Sequence, residues 1–175
     1  MNKKDFENIS MNGRLAYQLM CVERYLVSKY PNKDFTKLME LLWQVTNGMY
    51  WDTFSDYVMD LEPSTLFEFN TYEEQEWLRL SKEEYKELTP CMKGLDNVVD
   101  DLFETLKEQT FVYAYTEVPK NTKESIDIVF DTIKFLKQEK IKLPDVKFVE
   151  FSTIDQQDGW GNSFDGTKLS IILNS

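Results

Sequence analysis

Apolar positions in the first third of the chain recur at helical spacing. Leu15, Leu19, Val22 and Leu26, with Ala16, Met20 and Val27 beside them, predict a first long helix from about Gly13 to Lys29, which Pro31 ends. Asp34 stands at the N-cap of a second helix with Phe35, Leu38, Leu42 and Val45 on one face and Asn47-Gly48 at its close. In a third, Tyr50, Phe54, Tyr57, Val58 and Leu61 share one side, while Asp52, Asp56 and Asp60 repeat every four residues on the other until Pro63. Thr71 with Glu74 and Ser81 with Glu84 read as capping boxes that start short helices, and Thr89-Pro90 reads as a break. Between Leu95 and Glu108, a core stripe of Leu95, Val98, Val99, Leu102 and Leu106 opposes an acid stripe of Asp96, Asp100, Glu104 and Glu108.

The texture changes after Gln109. Thr110 to Val118 is aromatic and β-branched and predicts a strand; a helix follows from about Lys123 to Lys140 on Ile126, Val129, Ile133 and Leu136. Val146 to Thr153 and Lys168 to Leu173 read as two further strands, joined by a glycine-bearing loop from Asp155 to Gly166. The expected fold is therefore α+β, mainly α. A helical bundle over about residues 1–108 is joined, within one domain of 175 residues, to a small β-α-β-β unit over about residues 109–175.

Composition narrows the chemistry. An apolar fraction of 42% is ample for one core. The absence of histidine removes Ser-His-Asp and Cys-His catalysis, imidazole zinc sites and the usual proximal haem ligand. Cys21 and Cys91 form no Cys-x-x-Cys pair and read as reduced thiols. Two N-terminal lysines are followed by acids rather than an apolar run, and no stretch reaches membrane-spanning length, so a cytoplasmic protein is expected.

Charge is distributed unevenly. Residues 1–51 carry seven bases and five acids, residues 52–108 five bases and sixteen acids, and residues 109–175 eight bases and ten acids. The middle segment thus holds a charge equal to the formal net −11 of the whole chain. Such a segment repels nucleic acid and anionic lipid and attracts a basic protein surface.

Several catalytic and metal patterns fail on inspection. Gly161 and Gly166 have phosphate-loop spacing, but Thr167-Lys168 inverts the required order and the segment leads into a predicted strand. Asp155, Asp158 and Asp165 suggest a hard cation, although Gln157 and Gly159 occupy positions an EF-hand gives to ligands. The Pro144-Asp145 pair lacks the acid-x-lysine partner of metal-dependent nucleases, and no Ser-x-x-Lys occurs.

What remains is the acidic segment and the aromatics crowded within it. Most of Trp43, Tyr50, Trp51, Phe54, Tyr57, Phe67, Phe69, Tyr72 and Trp77 are expected in the core. Trp51 falls at the border of the apolar and acidic faces of its helix, and Trp77 closes an acid-rich turn, so both are candidate interface anchors. With them, Asp52, Asp56, Asp60, Glu73, Glu74, Glu76, Asp96, Asp100 and Glu104 form the candidate partner-binding set, and no cofactor is expected.

The acidic-aromatic run from Tyr50 to Asp60, the segment from Tyr72 to Trp77 and the loop from Asp158 to Gly166 give the chain a character that resembles the immunity proteins of bacterial polymorphic-toxin and contact-dependent inhibition systems. The resemblance implies a stoichiometric inhibitor that covers the active site or an essential surface of a cognate toxin, often a basic nuclease. Two alternatives stand beside it. One is a metal-dependent enzyme or metal-binding module on Asp155, Asp158 and Asp165, with Glu150 from the preceding strand; the other is a regulatory subunit of a larger assembly.

Overall fold

The fold is organised around its first long helix. A computed structural model describes residues 1–119 and 122–175. In it, α1 (Met11–Lys29) is buried from Met11 to Leu26 except at Arg24. The pattern predicted one apolar face, but the helix is covered on all sides, so its polar residues need partners inside the protein. Gln18 Nε2 donates to the Thr105 carbonyl (3.2 Å) and to Thr132 Oγ1 (2.9 Å), Tyr17 Oη donates to the Pro144 carbonyl (3.1 Å), and Tyr25 Oη donates to Asp96 (2.9 Å).

Helix α2 (Thr36–Leu42) runs on as a 3-10 turn over Trp43–Asn47 and stops at Gly48, whose φ of +102° is a left-handed conformation suited to glycine. Asp34 is not the N-cap of α2: Phe35 holds that position without a side-chain cap bond, and Asp34, one residue earlier, accepts from Thr36 N at 2.9 Å. Helix α3 (Trp51–Leu61) buries Phe54, Val58 and Leu61, and Pro63 ends it by opening the short α4 (Pro63–Leu66) at a position where no N–H is needed. Both capping boxes form, one starting only the 3-10 turn Tyr72–Glu74 and the other α5 (Lys82–Met92).

Pro90 does not break α5; it lies within the helix, which continues to Met92. The amide it lacks would have bonded the carbonyl of Lys86, an exposed residue, and the Thr89 hydroxyl donates to the Tyr85 carbonyl beside it. Helix α6 (Asn97–Phe111) packs between α3 and α7 (Lys123–Gln138), and both α6 and α7 pack on α1.

The expected β-α-β-β unit is absent. The described residues are 61% helical with 1% strand and no sheet among them, so the chain is a helical protein rather than α+β. Among the described residues the one β-type pairing is a lone bridge between Ile9 and Thr153. Thr110 and Phe111 finish α6, and turns follow. Val146–Val149 is a 3-10 turn capped by Asp145, with Lys147 N 3.1 Å from its Oδ1, and Gly166–Leu169 is another. The physical reason is legible in the burial pattern. Val149 and Ser152 are buried and Val146 is half-buried, while Phe148, Glu150 and Phe151 face solvent. That is a period of three, the repeat of a 3-10 turn, where a strand needs a period of two.

Candidate interaction surface

The acid stripe of α3 does not stay on one face. Residues four apart in a helix drift by about 40° per step, because 3.6 residues make a turn. Asp52 is exposed at the first turn and accepts from Tyr115 Oη (2.8 Å); Asp56 is half-buried and pairs with Arg79 Nε (2.9 Å). Asp60 is only 3% exposed, and its carboxylate accepts from the backbone N–H groups of Leu78 (3.1 Å), Arg79 (2.7 Å) and Leu80 (2.9 Å). The expectation that Asp60 faces away from the core is corrected: the loop returning from α4 covers it.

The remaining acidic candidates, Glu76 apart, are also engaged within the chain. Glu73 pairs with Lys82, and Glu74 accepts from Asn70 N (3.0 Å) and Thr71 N (3.1 Å). Asp96 caps α6 at Val98 N (3.1 Å), Asp100 accepts from Ser64 N (2.8 Å), and Glu104 pairs with Lys107. Glu62 lies 3.6 Å from the same lysine, and its carboxyl is pushed above the usual range by burial, against the pull of Lys107. Burial, then Glu104 and Asp131, pushes the Glu108 carboxyl up as well.

Of the sixteen acids between residues 52 and 108, those left without a hydrogen bond or ion pair among the described residues are Glu68, Glu76, Glu83, Glu87, Asp101 and Glu108. Glu76 alone belongs to the set chosen from sequence. The other five had no distinguishing signal, because partnering depends on which bases and amides the fold brings close.

Both tryptophans are half-buried and engaged by neighbouring rings. Trp51 packs edge-on against Trp160 at 5.0 Å, and Trp77 stacks on Tyr72 at 5.5 Å with its Nε1 donating to the Tyr72 carbonyl (2.8 Å). The exposed apolar side chains of this region are instead Phe67, Phe69 and Leu78, with Tyr50 and Tyr115 further along. Phe67 and Phe69, two of the nine aromatics of which most are expected in the core, fall after α4 on a segment with no helix to turn them inward.

The loop from Asp155 to Gly166 has a structural task. It closes the N-terminus of α1: Asn12 N donates to the Trp160 carbonyl (2.9 Å), Asn12 Nδ2 to the Asn162 carbonyl (3.1 Å), and Ser10 N to the Ser152 carbonyl (2.8 Å). Glycine is required by close approach, since a Cβ at Gly161 would meet Ser10 Oγ at 2.1 Å and one at Gly166 would meet Thr46 Oγ1 at 2.4 Å. Asp155, Asp158 and Asp165 are exposed, and among the described residues no group of three acids or cysteines is placed to hold a metal. Asp165 is instead held below the usual carboxylate range by the Thr167 hydroxyl, 2.5 Å away, with Lys168 adding to the effect.

Two buried charges escaped the sequence reading. Arg14 is fully buried and donates to the carbonyls of Phe6 (2.9 Å) and Thr122 (3.4 Å) and to the hydroxyls of Thr122 (2.7 Å) and Ser125 (3.1 Å). Among the described residues no carboxylate pairs with it, and burial lowers its guanidinium to about 10. Glu23, also fully buried, accepts from Trp43 Nε1 (2.8 Å), Ile171 N (2.8 Å) and the Ser170 hydroxyl. Burial pushes its carboxyl up, while those donors pull it down. Both cysteines are buried and free, and burial raises the thiols, Cys91 to about 11, which leaves them unreactive.

Comparisons with protein-family models, curated proteins and solved structures found no match to this chain. Among the described residues no helix is long and apolar enough to cross a membrane.

Proposed function

We propose that this protein is a stoichiometric protein-binding inhibitor of the immunity type, which captures a basic partner such as a toxin domain. The observation that supports the reading is the placement of unpaired acids. Glu68, Glu76, Glu83 and Glu87 lie together in sequence, on the loop after α4 and on α5, all exposed and, among the described residues, in no hydrogen bond or ion pair. Like charge gathered in this way costs stability through self-repulsion, and a basic partner relieves it. Steering by such a field raises the association rate, while apolar contacts lengthen residence.

The test is affinity capture from lysate of the source cells, with the parent and a Glu68→Lys, Glu76→Lys, Glu83→Lys, Glu87→Lys variant side by side. One basic protein retained in equimolar amount by the parent, and lost by the variant or by a high-salt wash, supports the inhibitor reading. Purified, that protein loses its own activity when the parent is added at one equivalent. Retention that is indifferent to both the reversals and salt overturns it.

A further inference from the structure

Loop 67–80 leaves the C-terminal end of α3 and returns to it. It starts just beyond α4, where Phe67 N donates to the Pro63 carbonyl (3.2 Å), and it ends on the Asp60 carboxylate through the amides of Leu78, Arg79 and Leu80. A loop of this size with its ends together is an Ω-loop, filled by its own side chains. Here the filling is aromatic. Tyr72, Trp77 and Tyr85 form a triangle of rings with each pair 5.5 Å apart, and Tyr72 Oη donates to the Leu80 carbonyl at 2.8 Å.

The same contacts decide which side chains are left outside. Phe67, Phe69 and Leu78 are 37%, 42% and 52% exposed; Phe67 N is held by the Pro63 carbonyl, Asn70 and Thr71 by Glu74, and Leu78 by Asp60. Glu68 stands between the two phenylalanines and Glu76 lies two residues before Leu78, both exposed and unpaired. Apolar side chains fixed outward and interleaved with free carboxylates lose little freedom on binding, which is the condition for an anchor.

The geometry points to loop 67–80 as the docking element of this protein, and to a basic polypeptide segment, with apolar side chains set among lysines or arginines, as its occupant. The inference rests on the proposed capture of a basic partner and adds where that partner sits and which side chains anchor it. Charge selects the occupant. A second copy of the chain would bring Glu68 and Glu76 toward their own counterparts, and an anionic membrane would meet the same repulsion.

The test uses the full chain and two synthetic probes, an amphipathic peptide of lysines and leucines and its counterpart with glutamate for every lysine. Binding is read residue by residue from amide shifts in solution. The expected result is that shifts with the lysine peptide concentrate in residues 67–80, weaken about tenfold between low and high salt, and are absent with the glutamate peptide. A Phe69→Ser, Leu78→Ser variant loses at least about tenfold in affinity with its melting temperature kept, and a Tyr50→Ser, Tyr115→Ser variant binds as the parent does. Shifts centred on Asp101 and Glu108 would overturn the loop assignment and leave a basic partner in place. No binding of the lysine peptide at low salt would overturn both. Equal binding of the two peptides, or self-association lost in the Phe69 and Leu78 variant, would overturn the basic occupant.

Discussion

Helix α1 and loop 67–80 are both tied down by buried charge, with opposite results for their apolar side chains. Arg14 and Glu23 on α1 gather the carbonyls, amides and hydroxyls of segments distant in sequence, and every large apolar residue from Leu15 to Leu26 is buried around them. Asp60 gathers the end of loop 67–80 in the same way, yet Phe67, Phe69 and Leu78 remain outside. In the first case the charge serves the core. In the second it fixes a backbone whose apolar groups contribute little to folding, and that separates a structural use of a buried charge from a use that prepares a surface.

The largest break in this comparison is expected at Arg14. Arg14→Met removes the donors for two buried carbonyls and two hydroxyls and should cost about 3 kcal/mol, read as a lower urea midpoint at unchanged slope. A cost under about 1 kcal/mol would mean that water takes over the guanidinium's role. Asp60→Ala leaves the amides of Leu78, Arg79 and Leu80 without their acceptor and should cost about 2 kcal/mol. Hydrogen exchange should accelerate at those amides while α1 keeps its protection; uniform acceleration would show that the loop is not a separate unit.

Glu23 sharpens the comparison through pH. Its folded carboxyl titrates above the usual 4.5, so the folded state holds this proton more tightly than the unfolded chain does. The associated stability is complete below 4.5 and is lost as pH rises through the raised value. Glu23→Gln should therefore flatten the fall in urea midpoint above pH 4.5, and an unchanged slope would assign that fall to other groups. The smallest effect belongs to the loop's exposed side chains: Phe69→Ser and Leu78→Ser should each move stability by no more than about 0.5 kcal/mol. A larger loss would return those residues to the core.

The helical half of the fold was readable because its signals are local. Apolar spacing, Ser81 with Glu84 and the proline at 63 each act within a turn or two of the chain, and α1, α3, α5, α6 and α7 follow them. The C-terminal quarter was misread because Val146 to Thr153 is rich in residues suited to strands, while its true repeat of three shows only once Val149 is seen against α1. The site was legible as a region and not as a set of side chains. Trp51 and Trp77 turned inward because Trp160 and Tyr72 were there to meet them, and Asp60 was buried by a loop whose path no pattern announces.

The closure of α1 has a bearing on how the molecule comes into being. Ser10 waits for Ser152, Asn12 for Asn162 and Glu23 for Ile171, partners separated by 142, 150 and 148 positions. At ribosomal speed that separation is on the order of ten seconds of synthesis, long beside the submicrosecond formation of a helix. Helix α1 is therefore made long before its contacts are completed. Until residues 152–171 emerge, its first turn has only the local Ser10 cap, whose Oγ accepts from Gly13 N, and its buried carboxylate has only Trp43 of its three donors, so α1 is completed late.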